Sequence, residues 1–166
     1  MQIDLYVSLA ELSLALIGFA ALVGAFNSSL DAQKLHETIA LQMLVETSLT
    51  AFLLSLLPVV FAGFISEPTT LWRTCSGISA GLVLAHISTG LFRSKRMALP
   101  SRFRMALFPA VYMALGFVGF NLLNSVELLS VVSEGPFRGG VVVQLVSASW
   151  FFFVRFFLSE RNDLAA

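Results

Sequence analysis

Along this chain apolar residues do not alternate with polar ones; they come in long blocks separated by short polar gaps, at roughly 3–26, 38–65, 70–92, 108–132 and 139–158. Each block is about as long as, or longer than, the ~20 residues an α-helix needs to cross a hydrocarbon core about 30 Å thick at 1.5 Å per residue. None shows the period-two pattern of an outer-membrane β-barrel strand. The pattern predicts an all-α chain: an integral membrane helical bundle of five transmembrane helices, forming one domain over 1–166.

The gaps set the orientation. SSLDAQKLHE (28–37), SEPT (66–69) and SEGPFR (133–138) read as turns, whereas RSKRMALPSRFRMAL (93–107) is longer and holds five of the ten Lys and Arg residues: Arg93, Lys95, Arg96, Arg102 and Arg104. Basic loops stay on the cytoplasmic side, so loop 93–107 is expected inside; alternation then places the N-terminus outside and the C-terminus inside. With Lys34, Arg155 and Arg161, eight of the ten basic residues fall inside, and Arg73 and Arg138 alone fall outside. Tyr6, Trp72 and Tyr112 lie near block ends, where interfacial aromatics belong. The first block has no basic segment before it and carries Asp4, so it reads as a retained span and not as a cleaved signal peptide. Residues 127–133 read either as the last turns of the fourth span or as an interfacial segment.

Composition agrees with a lipid solvent: 57% of residues are hydrophobic, with 16 Phe, and only 12% are charged, with zero net charge. A neutral chain with no basic-aromatic motif excludes a nucleic-acid partner. The single cysteine, Cys75, has no zinc or iron–sulfur spacing around it and reads as a small buried residue. There is no GxSxG, and His86 is the one histidine within a span, His36 lying in the first turn. No catalytic residue, metal ion, haem or other cofactor is expected, and the chain does not read as an enzyme.

Small residues every four positions mark close helix contacts in lipid. Gly77, Gly81, Ala85 and Thr89 form such a row in the third span, and Ala20 with Gly24 and Ala21 with Ala25 do so in the first. The first and third helices are therefore expected at the centre, with the Phe-rich WFFFVRFF (150–157) facing lipid or a neighbouring subunit. Pro58 is expected to kink the second span.

The candidate chemistry is the polar residues at membrane depth. Glu11 interrupts LAELSLALIGFAALVGAF (9–26), and Glu46 sits eight or so residues inside the next span. Each lies roughly 12 Å inside its own interface, and their depths differ by only about 6 Å. They share the local text Glu11-Leu12-Ser13-Leu14 and Glu46-Thr47-Ser48-Leu49, running in opposite directions as an inverted repeat would. Gln42 shares a face with Glu46, Asn121 and Asn124 share one in the fourth span, and His86 lies at a depth similar to Glu46. Intramembrane carboxylates are rare and commonly functional, so Glu11, Glu46, Gln42, His86, Asn121 and Asn124 are expected to line an ion or proton path in a homo-oligomer. The competing reading is a membrane scaffold or sensor subunit in which these groups only bond helices together. In either case the basic residues of 93–107 are expected to contact anionic lipid headgroups or a cytoplasmic protein partner.

The pairing of ALIGFAALVGAF (15–26) with LVETSLTAFLLSLLPVV (44–60) resembles a group of small bacterial multi-pass membrane proteins, over roughly the first 65 residues. The resemblance implies a bacterial cytoplasmic membrane and carries no chemistry.

The orientation is directly testable. In a Cys75→Ala background, Ser94→Cys is expected to react with a membrane-impermeant maleimide from the cytoplasmic side and to be protected from the other side.

Overall fold

The computed structural model describes residues 3–27, 35–96, 101–128 and 133–163, with side chains described over 4–25, 41–93, 105, 107–128 and 133–154. Among the described residues the chain is all-helical, with no strand: α1 (Ile3–Asn27), α2 (Leu35–Phe61), α3 (Pro68–Arg96), α4 (Ser101–Ser125) and α5 (Glu134–Asp163). Each contains a stretch long and apolar enough to cross a membrane.

Local chemistry explains where the helices begin and end. α3 starts at Pro68, whose missing N–H costs nothing in the first turn. Just before it, Glu67 accepts the Leu71 N–H on its backbone carbonyl (3.0 Å) and the Thr70 hydroxyl on its carboxylate (2.6 Å). α5 starts at Glu134, so the segment expected as a turn, SEGPFR, is instead its beginning. Ser133 stands in the cap position, Glu134 sets a negative charge at the positive end of the helix, and Pro136 is tolerated in the first turn. α2 ends at Phe61, short of residue 65 and one turn beyond Pro58.

The loop expected at 93–107 is mostly helix, because α3 continues through Arg96 and α4 begins at Ser101. Residues 97–100 lie outside the described residues, as do 28–34 of the first turn. At the other end of α4, Leu128 N–H reaches back to the Leu123 carbonyl (3.0 Å) across Glu127, whose φ is 59°. This is a Schellman-type ending with glutamate where glycine is usual. Glu127 is fixed there by an ion pair with Arg73 (2.6 Å). The chain thus leaves α4 before residue 127, and residues 129–132 lie outside the described residues.

α2, α3, α4 and α5 close into a ring in that order, α5 packing back on α2. α1 lies outside the ring, against α2, and touches α5 slightly. This corrects the expected centre. Of the membrane-length stretch, 50% is buried in α5 and only 17% in α1. Helices apolar all round carry no amphipathic stripe to distinguish inside from outside. Small residues occur on both faces of α1, with Ala20 buried and Ala15, Gly18 and Ala21 exposed. In α3, Gly81, Ala85 and Thr89 likewise face outward; at Gly77 a Cβ would be in ordinary contact with Ser125.

Because the helices alternate in direction, the starts of α1, α3 and α5 meet at one end of the bundle. There Tyr6, Trp72 and Phe137 form an aromatic cluster with ring centroids 5.9–6.0 Å apart. Tyr6 and Trp72 are buried within this end of the bundle, while Tyr112 is 69% exposed. Between α4 and α5, Phe117 lies against Gly139 so closely that a Cβ there would stand 2.6 Å from its ring. Gly139→Val is therefore expected to destabilise the protein by about 1–3 kcal/mol through overpacking, read as a lower midpoint of thermal unfolding in detergent.

Candidate functional site

A line of polar side chains runs from one end of the bundle to the other, buried within the ring at its middle and partly exposed at its ends. At the end away from Tyr6, Arg93 of α3 forms an ion pair with Glu46 of α2, and the Gln42 amide donates to the same carboxylate oxygen (2.8 Å). At the next residue of α2 and two turns back along α3, the Thr47 hydroxyl and His86 Nε2 are 3.2 Å apart. Glu46, Thr47 and His86 open onto a cavity of about 60 Å³ among the four ring helices. That is room for about four waters, at 10–15 Å³ each.

Gln144 and Ser147 of α5 reach the same cavity from the opposite wall. Both are buried, 2% and 3% exposed, and the Ser147 hydroxyl has no hydrogen-bond partner among the described residues. Gln144 also lines a second void of about 10 Å³, shared with Ser79, Asn121 and Gly140. Gly140 makes room here: a Cβ would come within 3.1 Å of the Asn121 amide nitrogen. That amide donates to the carbonyls of Phe117 (3.0 Å) and Pro136 (3.1 Å), while its own carbonyl oxygen is buried and unpartnered.

One turn further along α4, the Asn124 amide joins three elements. It donates to Ser76 Oγ of α3 (2.8 Å) and to the Ser133 carbonyl ahead of α5 (3.1 Å), and its carbonyl accepts the Ser133 N–H (3.2 Å). The line ends where Tyr6 of α1 donates to Glu134 (3.1 Å), which is also ion-paired with Arg138. From Arg93 to Ser76 the line spans roughly 25 Å of helix.

Of the residues singled out from the sequence, Gln42, Glu46, His86, Asn121, Asn124 and Arg93 lie on this line. Glu11 does not. It is exposed, on the face of α1 turned away from α2, and the structure does not bring it to Glu46. Equal depth was not enough, because α1 is outside the ring. The side chains of Lys95, Arg96, Arg102 and Arg104 lie outside the described residues; their backbones belong to the last turn of α3 and the first of α4, at the Arg93 end.

Sequence reasoning missed Gln144, Ser147, Ser79 and Ser76. Ser76 and Ser79 continue the heptad spacing from Trp72 through Val83 to His86 and Gly90, a pattern that places them on one α3 face. Gln144 is the lone amide of the fifth block, which was a usable signal. Among the described residues no group of three or more His, Cys, Asp or Glu side chains is placed to hold a metal ion. Chemically, the line offers hydroxyl, amide and imidazole groups that donate and accept, separated by spaces of water size.

No family model, curated protein or solved structure matches the chain.

Asn124→Leu is expected to leave the Ser133 N–H and the Ser76 hydroxyl without their partners, at about 1–3 kcal/mol for each buried group. The check is amide hydrogen exchange at the start of α5, expected to accelerate at Ser133 while the middle of α2 stays protected.

Proposed function

We propose that this chain is an integral membrane protein that passes protons, or a small ion, along the polar line enclosed by α2–α5. The observation carrying this reading is the buried Ser147 hydroxyl, without a hydrogen-bond partner among the described residues, which faces with the buried Gln144 a cavity that Glu46 and His86 also line. Buried polar groups normally bond to protein or to ordered water. A hydroxyl and an amide facing a space of water size suit a hydrated path better than a dry contact made only to hold helices together.

Within this proposal each residue has a role. Glu46 and His86 exchange the proton at the cytoplasmic end, Arg93 and Gln42 fix the Glu46 carboxylate, and Thr47 orients the imidazole. Gln144, Ser147 and Asn121 line the middle, and Asn124 anchors its wall. Glu134 and Tyr6 form the outer end. The void of about 10 Å³ between Gln144 and Asn121 holds one water and no hydrated metal ion, which favours protons over larger cargo. The basic residues clustered at the Arg93 end support a cytoplasmic placement of that end, by the positive-inside rule. Unlike the reading from sequence alone, the path takes Glu46 and leaves out Glu11.

Purified protein in liposomes carrying a pH-sensitive dye tests the proposal, with a potassium diffusion potential as driving force. Proton uptake is expected in the unaltered protein and is expected to fall by roughly a hundredfold in Glu46→Gln and in Gln144→Leu, as for removal of a positioned proton-transfer group. Vesicles that hold folded protein and stay impermeable would overturn the proposal in favour of a non-conducting membrane scaffold. The basic segment from Arg93 to Arg104 would then be left to bind anionic lipid or a cytoplasmic partner.

A further inference from the structure

α1 carries two faces a half-turn apart. Tyr6, Ala10, Ser13 and Ala20 are buried toward the ring. Opposite them Asp4, Ser8, Glu11, Ala15, Gly18 and Leu22 are all exposed, spaced alternately four and three residues apart. On this outer face Glu11 makes no hydrogen bond or ion pair among the described residues, seven residues and so about 10 Å inside the membrane-length stretch that begins at Asp4.

A carboxyl facing acyl chains at that depth costs a few kcal/mol, so a helix destined to face only lipid has no physical reason to carry one. Nor is a free cation present to meet it among the described side chains: Arg73, Arg93 and Arg138 are each paired with a glutamate of their own. What can satisfy Glu11 without a cation is another Glu11. Two protonated carboxyls, each donating its O–H to the other's carbonyl oxygen, form a neutral hydrogen-bonded pair. A two-fold axis along the membrane normal brings identical residues together at identical depth, which is the condition for that pair.

The rest of the face is shaped for the same contact. The alternating spacing is that of two helices crossing at about 20°. Ser8, Ala15 and Gly18 permit close approach around Glu11, and a Cβ at Gly18 would meet nothing within 4 Å. Around Glu11 the large exposed residues, Leu12, Leu14 and Phe19, flank the face instead of occupying it, and Leu22 lies on it three turns further along.

We propose that the outer face of α1 is the contact between two copies of this chain, packed in parallel, with their Glu11 carboxyls hydrogen-bonded across the axis. The inference rests on the membrane placement proposed above and is independent of conduction.

The test is oxidative cross-linking of full-length protein in vesicles of phosphatidylethanolamine and phosphatidylglycerol, in the Cys75→Ala background, over increasing lipid dilution. Ala15→Cys and Gly18→Cys are expected to give covalent dimers that persist on dilution, and Leu84→Cys, exposed on α3, is expected to give none. Single-molecule photobleaching of the cysteine-labelled N-terminus, without cross-linker, is expected to show two copies. Glu11→Leu removes the cost of the lone monomer and is expected to weaken association about tenfold, as is Gly18→Leu. Glu11→Gln keeps a donor and an acceptor on each copy and is expected to retain the dimer. Single copies at every dilution, dimers through Leu84→Cys and not through Gly18→Cys, or undiminished association of Glu11→Leu would each overturn the proposal. Association is read without any flux. An impermeable dimer therefore sinks the conduction proposal alone, and a conducting monomer sinks this one alone.

Discussion

The bundle depends on one constraint: a helix ring with a polar interior is stable only where each buried polar atom finds a partner. Asn124 meets that constraint at the point where it is hardest to meet. Its single amide binds α3 through Ser76 and holds the turn before α5 through both hydrogen-bonding groups of Ser133. Asn121 adds a bond to Pro136 from one turn away. Together the two asparagines fix where α5 enters the ring, and the position of α5 sets where Gln144 and Ser147 point.

The constraint is met less completely towards the middle of the ring. Ser147 and the carbonyl of Asn121 are left unpartnered, and Gly140 keeps the space beside Asn121 open. Apolar layers lie on both sides: Tyr6, Trp72 and Phe137 at one end, Leu44, Leu107 and Phe151 at the other. These unpartnered polar atoms thus lie between two apolar layers, and the ion-paired groups stand at the two ends of the line. This is the physical ground for reading the line as a path, and it makes the ion pair of Arg93 with Glu46 the natural place for anything entering from that end to be met first.

Much of the architecture was legible in the sequence because the length of an apolar block is a strong signal, and five such blocks give five helices. Helix starts were less legible. SEGPFR contains two turn-favouring residues, yet the same residues suit a first helical turn once Ser133 caps it. The order of packing was not legible, since α1 and α5 both carry apolar residues on every face and both contain small residues. For the site, Glu46, His86, Asn121 and Asn124 stood out as costly groups in apolar blocks. The contact of Tyr6 with Glu134, between residues 128 positions apart, has no trace in local pattern. Glu11 was conspicuous for the right reason, its cost, but depth alone does not say on which side of a helix such a residue faces.

The seating of Phe117 over Gly139 also governs how the interior can move. With an aromatic ring occupying the place of a side chain, α4 and α5 are keyed against sliding along each other. Widening of the narrow void beside Asn121 then falls to rotation of the Gln144 side chain, and not to helix displacement, which takes microseconds to milliseconds. Such a constriction would flicker rather than latch.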